Sequence, residues 1–340
     1  MPIVKSDNKH DILNALISSN NDIWPHFQRH PLTINMRLAV ASAARIRGGV
    51  LSQEETEQLR YDDMLNHVSR NFNSDYCRIT TTIDNDTCTL GLPLMKYYTT
   101  KSDAVEWLYP NGILDENATI LCATNESVDE WNAVAQNLNT NDEHILKSKD
   151  TFSEVDDING NLKKMLSQVF LNSFQKNGIP NHELILKVGD VCLITRAIKS
   201  LDIANNSRVR IVEILTYSVK VVTIGEEIER TIRIPRIPFK FRLPYGESYQ
   251  MTRMQFPLRL AYAMTYNKCQ SQTLIKVLLD ITTPPFSHGQ AYVALSRVRD
   301  SNNIVLFLHD DQLVPEPTTD TGFMPTFDNI AYQEVLQLNR

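Results

Sequence analysis

The chain has 340 residues, too many for one small domain and enough for two or three packed units. With 42% hydrophobic and 22% charged residues it excludes disordered, collagen-like and disulfide-scaffold classes. The net charge of −6 speaks against a uniformly basic polyanion binder, but residues 181–300 carry 17 Lys+Arg against 10 Asp+Glu, a net of +7 inside an otherwise acidic chain. That block reads either as the footprint of a polyanion or as a solvated basic face.

No apolar run approaches the ~20 residues that a membrane span needs. The first residues lack a charged-then-apolar leader, so the expectation is an intracellular protein, nuclear in a eukaryote, with no membrane partner. Five cysteines without a C-x-x-C pair argue against a disulfide framework and structural zinc. His26 and His30 stand four residues apart without an acidic or cysteine partner at ligand spacing, so they read as a surface pair, and no metal site is expected.

Residues 11–17 have helical periodicity, broken at Trp24-Pro25. Leu32-Thr-Ile-Asn-Met-Arg37 reads as a short strand ending in an arginine, with a helical pattern over 38–46. Residues 53–68 are charged and helical, 87–93 form a strand and turn, and Tyr109-Pro-Asn-Gly112 is a turn. Residues 118–123 form a short buried strand, and Ser127 and Glu130 a capping box for a helix with the stripe Val128, Trp131, Val134, Ala135 and Leu138. Strand, turn and capped helix make half of a βαβ unit.

Residues 139–161 are polar, acidic and turn-rich, and read as a loop or linker. From 170 to 214 the pattern is β, with two strands in 184–195 joined at Gly189-Asp190, a turn at Asn205-Asn206 and alternation over 209–215. Residues 218–253 add strands in which Arg and Lys alternate with Ile, Phe and Tyr. That pattern serves single-strand binding or guards an exposed sheet edge. Strands over 258–264 and 274–281, a helix over 290–295 and a strand over 304–308 follow. Beyond Asp310 the expectation is a loose tail with a last helix over 329–338.

Two stretches carry polar groups that a core has no use for. Thr265-Tyr-Asn-Lys-Cys-Gln-Ser-Gln-Thr273 follows an apolar strand, and Gln290-Ala-Tyr-Val-Ala-Leu-Ser-Arg297 ends an apolar helix in a hydroxyl and a guanidinium. Hydroxyls, amides and cations at strand-to-helix junctions suit a polyanion, and Arg grips phosphate oxygens with a planar fork.

Phe256-Pro-Leu-Arg-Leu-Ala-Tyr-Ala-Met-Thr265, running on to Thr273, resembles the fifth helicase motif of the petite-integration-frequency (PIF) family of superfamily-one DNA helicases and of Helitron transposon helicases. Phe286-Ser-His-Gly-Gln-Ala-Tyr-Val-Ala-Leu-Ser-Arg-Val-Arg299 resembles their sixth motif, and 32–37 their fourth. The resemblance implies an α/β fold: a RecA-like parallel-sheet domain (the second of the helicase), an inserted small β-barrel of the Src-homology kind that leans on the single strand, and a remnant of the first RecA-like domain. The implied segments are 1–60 for the remnant with the fourth-motif arginine, 61–165 for the first part of the second RecA-like domain with its linker, 166–255 for the barrel and connecting strands, 256–312 for the rest of that domain, and 313–340 for the tail.

The implied activity is that of an ATP-dependent 5′-to-3′ DNA helicase, with ATP and Mg2+ as cofactors of the intact enzyme and single-stranded DNA as partner. Arg37 and Arg297 would be its catalytic, nucleotide-facing residues, stabilising charge on the γ-phosphoryl as arginine fingers do. Thr265, Asn267, Lys268, Gln270, Gln272 and Thr273 would hold the strand, while Thr124 and Asn125 either contact its backbone or cap a helix. Where the commoner fifth motif has Ser and Gly, this chain has Cys269 and Ser271; where the family's barrel usually has Asn-Gly before Ser/Thr-Arg, this chain has Asn205-Asn206. No G-x-x-x-x-G-K-[ST] loop occurs, so neither the phosphate cradle nor the Mg2+-binding residues are expected in this chain. The expectation is a C-terminal half, inactive alone, with three origins open for the N-terminal half: supplied in trans by another chain, trimmed away, or never encoded. The alternative is a non-catalytic single-strand-binding fragment or a decayed transposon remnant.

Overall fold

The computed structural model describes residues 51–154, 172–174, 178–225, 228–242, 249–270 and 272–333, which divide into two units: one up to Asp129 and again from Met264, the other Glu130–Ala263. Arg37, the fourth-motif segment, the His26/His30 pair and Ser271 lie outside the described residues.

In the first unit helix α1 (Gln53–Val68) opens on a capping box, the Ser52 hydroxyl accepting the Glu55 N–H while the Glu55 carboxylate accepts that of Ser52. Strands β1 (Arg78–Thr82) and β2 (Thr87–Gly91) form an antiparallel hairpin. After β3 (Tyr97–Tyr98), helix α2 (Lys101–Leu108) is capped by the Thr100 hydroxyl, and the Tyr109–Gly112 turn follows with Asn111 at φ 57°. Strand β4 (Ala118–Cys122) is buried along its whole length and feeds helix α3 (Asn125–Leu138), which ends in the second unit. The expected cap is displaced. The helix starts at Asn125, and it is the Thr124 hydroxyl that accepts the Ser127 N–H at 3.2 Å, so Ser127 lies inside the first turn.

In the second unit residues 139–161 are not simply a linker. They contain β5 (Glu143–Lys147), paired with β7 (Glu183–Lys187), and β6 (Lys149–Glu154), paired with β13 (Tyr249–Gln255). β5 reads as loop because only Leu146 is buried in it. β6 reads as loop because its Asp150 is a buried partner of Arg253. The two strands expected around Gly189-Asp190 exist, with Gly189 at φ 89°, but β7 and β8 (Val191–Ile194) pair with different strands. Strands β9 (Arg208–Ile214), β10 (Ser218–Thr223), β11 (Thr231–Pro235) and β14 (Leu258–Leu260) complete a five-stranded sheet in the order β11-β10-β9-β8-β14, antiparallel at each pairing. Its buried side chains alternate along β9 and β10, and Phe256 and Leu258 close the apolar cluster. Strand β12 (Ile237–Arg242) pairs with β13, and Asn206 takes the expected turn at φ 65°.

The single strand expected over 258–264 is two. The chain leaves the antiparallel sheet at Leu260 and enters another at β15 (Ala263–Thr265), with the Ala261 N–H bonded to the Val191 carbonyl between them. The second sheet has the order β15-β4-β16-β17-β3, where β16 (Lys276–Asp280) runs parallel to β4 and to β17 (Ile304–Phe307), and β17 parallel to β3. Helix α4 (Gln290–Leu295) connects β16 to β17. Near-continuous apolar strands, buried on both faces, are what such a sheet requires, and the coarse α/β expectation holds for this unit.

The described part of the tail is not loose. Strands β18 (Leu313–Pro315) and β19 (Phe323–Ile330) pair antiparallel, and β19 adds to β2, giving the order β1-β2-β19-β18. Of the helix expected over 329–338, residues 329 and 330 belong to β19, Gln333 is helical, and 334–338 lie outside the described residues; Phe327 of β19 is in the core. Among the described residues no helix is long and apolar enough to cross a membrane.

Candidate functional site

Two inward anchors shape the stretch from Thr265 to Thr273. The Thr265 carbonyl, at the end of β15, accepts the N–H groups of Lys268 (2.9 Å) and Cys269 (3.3 Å), which turns the chain once. Tyr266 is buried; its hydroxyl donates to the Asp280 carbonyl at 2.5 Å and its N–H to the Cys122 carbonyl at 3.0 Å. The turn is thereby fixed to the ends of β16 and β4. Burial first, then Asp280, Cys122 and Cys269, push the Tyr266 phenol far up, so it remains a donor. The second anchor is Cys269, whose thiol donates to the Tyr266 carbonyl at 3.0 Å. With 266 and 269 turned in, Asn267 and Thr273 are exposed, and Thr265, Lys268, Gln270 and Gln272 half-buried. Gln272 returns its amide to the Lys268 carbonyl at 3.2 Å. The Tyr266–Cys122 bond also brings this stretch beside Thr124, which caps α3, and the exposed Asn125.

Helix α4 is seated from both ends. At its start the Gln290 side-chain oxygen accepts the N–H groups of Phe286 (3.0 Å) and Ser287 (3.2 Å), and His288 Nδ1 accepts that of Tyr332 at 2.8 Å, with the two rings stacked. At its end Arg297 is 5% exposed and faces its own chain. Its Nε donates to the Val293 carbonyl (2.5 Å), one Nη to the Ser296 hydroxyl (2.7 Å) and the other to the Gln272 carbonyl (3.4 Å). The Arg297 carbonyl in turn accepts the Leu274 N–H at 2.9 Å. Side chain and main chain of one residue thus hold the end of the 265–273 stretch.

No protein-family model matches the chain. Among curated proteins, ATP-dependent DNA helicase PIF6 of Trypanosoma brucei brucei is 37% identical over 90 residues, 26% of this chain and 11% of that protein. ATP-dependent DNA helicase PIF1 of Emericella nidulans is 42% identical over 76 residues, 22% of this chain and 10% of that protein. The similarity is to PIF-type DNA helicases. The matched stretch spans about a tenth of each of these PIF-type relatives. Among solved structures, a crystal structure of Pif1 helicase from Candida albicans has a TM-score of 0.48 at 21% identity, covering 76% of this chain and 55% of that one. A crystal structure of Bacteroides Pif1 bound to ssDNA has a TM-score of 0.47 at 19% identity, covering 76% and 51%.

Beside the PIF-type motif, the geometry accounts for one of the two departures in the fifth motif. Where the commoner form has Ser, the Cys269 thiol makes the bond to the i−3 carbonyl that a hydroxyl would make. Sequence reasoning missed the grip of α1 on the segment that runs from the end of α4 to Asp300: the Tyr61 hydroxyl donates to the Leu295 carbonyl at 2.8 Å, and the Gln58 amide to Asp300 at 3.0 Å. No local signal announces a bond that joins residues 234 positions apart.

Proposed function

We propose that the chain is the C-terminal half of an ATP-dependent 5′-to-3′ DNA helicase of the PIF/Helitron type. The reading rests on one observation: Arg297 of the sixth motif is bonded through both side chain and main chain to Gln272 and Leu274 at the end of the fifth. A cation that serves a nucleotide and a loop that serves a strand would then be one mechanical piece. In this reading the parallel sheet is the second RecA-like domain and the antiparallel sheet of the other unit the inserted barrel. Thr265, Asn267, Lys268, Gln270, Gln272 and Thr273 hold the phosphates of single-stranded DNA, with Asn125 beside them. Thr124, as a cap, would act through the start of α3.

The chain's own residues do not make a complete nucleotide site. No G-x-x-x-x-G-K-[ST] loop occurs in the sequence, and by the resemblance the Mg2+-binding acid would belong to the N-terminal half, so the chain alone is given no hydrolytic step. Arg37 and Arg297 would stabilise charge on the terminal phosphoryl of ATP in an enzyme completed by an N-terminal half, and loss of such an arginine costs ~10³-fold or more in turnover. The test joins the chain to a matching N-terminal half and measures DNA-stimulated ATP hydrolysis. An Arg297→Ala enzyme that turns over at the unchanged rate refutes the role given to Arg297.

The inward-facing guanidinium and the missing phosphate loop support a second reading, a non-catalytic single-strand-binding fragment. Such a fragment binds an oligonucleotide alone and loses affinity steeply with salt, because phosphate neutralisation dominates. Absence of binding at the lowest salt sinks it.

A further inference from the structure

We propose that Tyr217 is a base-stacking residue for single-stranded nucleic acid, presented at the tip of the β9–β10 hairpin. The inference rests on the single-strand reading above and assigns a contact outside the helicase motifs.

The hairpin closes with the Leu215 N–H on the Ser218 carbonyl at 2.9 Å, leaving Thr216 and Tyr217 as its two-residue loop. Such loops favour Asn-Gly or a similar pair, because the turns that match strand twist need positive φ. A β-branched residue and an aromatic suit that demand poorly, and neither adopts positive φ here. The mismatch is absorbed nearby. The register slips between Lys220 and Val221, leaving Val212 as an extra residue opposite them, which adds local twist. Arg236 Nη1 donates to the Thr216 carbonyl at 2.9 Å while its guanidinium lies 4.3 Å from the ring centre of the buried Phe256.

The loop is therefore held from behind, and what it holds out is a tyrosine that is 83% exposed. Departures from local turn chemistry with compensation elsewhere mark functional positions. The cations below the tip indicate the partner. Lys220 stands directly opposite Arg233, with Glu213 on its other flank. Glu213 offsets one of the two facing charges, so two cations stand beside one carboxylate and the row keeps a net positive charge that suits a phosphate. An exposed aromatic with cations at its base matches a strand whose unpaired bases stack and whose phosphates need neutralising. A duplex has its bases already stacked and offers no free face.

The test is fluorescence anisotropy of a labelled mixed-sequence oligonucleotide at low salt with the full chain. Tyr217→Ala is expected to weaken binding by roughly 10-fold, the worth of one stacked base. Tyr217→Phe and Tyr217→Trp should bind as wild type does, because the ring face and not the hydroxyl is used. Affinity for the same sequence as duplex should not respond to Tyr217→Ala, and urea unfolding should be unchanged in all three variants. If wild type binds and the alanine variant binds equally well, the assignment of Tyr217 is wrong while the single-strand reading survives. If the phenylalanine variant fails like alanine, the contact is polar and stacking is refuted. If wild type does not bind at the lowest salt, the single-strand reading falls and takes this inference with it.

Discussion

Replacing Tyr61 by Phe removes one oxygen and leaves the ring in place. Tyr61 and Leu295 are both buried, and the phenol, pushed far up by burial and then by Asp300, is a permanent donor to the Leu295 carbonyl. Tyr61→Phe therefore opens no apolar cavity but leaves a buried acceptor without this partner, at a cost of about 1–3 kcal/mol. For a unit of this size that lowers the melting temperature by roughly 3–10 °C. Gln58→Ala, the other arm of the grip, should cost under about 1 kcal/mol, because Asp300 is half-buried and water replaces the lost amide. Since the chain holds two units, a single unfolding curve is not decisive, and hydrogen exchange of the amides from Val293 to Val298 localises the effect. These amides should exchange faster in Tyr61→Phe while those of β9 and β10 do not. A stability loss below about 0.5 kcal/mol, with unchanged exchange at the end of α4, would mean that α1 does not fix the Arg297 segment.

Asp150→Asn leaves Arg253 buried without its carboxylate partner, which it now contacts at 2.8–3.1 Å, and should destabilise the second unit by about 3–5 kcal/mol in urea unfolding. Cys269→Ser keeps a donor for the Tyr266 carbonyl and should stay within about 0.5 kcal/mol of wild type, whereas Cys269→Ala should lose about 1–2 kcal/mol in the same assay. Burial holds the His288 imidazole below the ordinary histidine range, partly opposed by Asp86 and by a hydrogen bond with the Ile330 backbone. The neutral ring is the folded form, so its contribution is present above about pH 6.5 and is lost as pH falls through the lowered folded value. The melting temperature should drop on acidification below that point, and less so in His288→Asn, whose amide oxygen accepts the Tyr332 N–H without titrating.

What the sequence made legible follows from where the information sits. The strand at 118–122, the helix at 290–295 and the strand at 304–307 are apolar runs whose type is decided by local burial, and the structure has all three. β5 and β19 were illegible because their pairing decides them. β5 buries one residue, and β19 carries Pro325, Asp328 and Asn329 in a sheet whose partner strand lies more than 200 positions earlier. The break between β14 and β15 was hidden by composition. Leu258 to Met264 is apolar apart from Arg259, and nothing local states that Tyr262 must reach Asp190 while Ala263 turns to Asn132.

The candidate site was legible as residue types and illegible as contacts. The fifth and sixth motifs were distinguishable because their polar residues stand where burial would be costly. The direction of Arg297 was not, and it sharpens the proposed mechanism. To serve a phosphate as proposed, Arg297 has to release the Val293 and Gln272 carbonyls. The Val293 carbonyl keeps the Ser296 hydroxyl as a donor at 3.2 Å, so the part-buried Gln272 carbonyl is the acceptor that loses this partner, at a cost of at most about 1–3 kcal/mol, while a bidentate grip on phosphate sets the guanidinium against a full negative charge instead of carbonyl dipoles. The exchange is near balance, so the presence of a terminal phosphate would decide it. The Gln272 carbonyl that is let go belongs to the stretch proposed to hold DNA, so nucleotide state would reach the strand through one side chain without a longer relay. Replacing Arg297 by Lys keeps the charge but cannot reproduce the three-way contact. In the completed enzyme that variant should retain nucleotide binding and lose the stimulation of hydrolysis by DNA. Full stimulation in Arg297→Lys would show that coupling runs through some other contact.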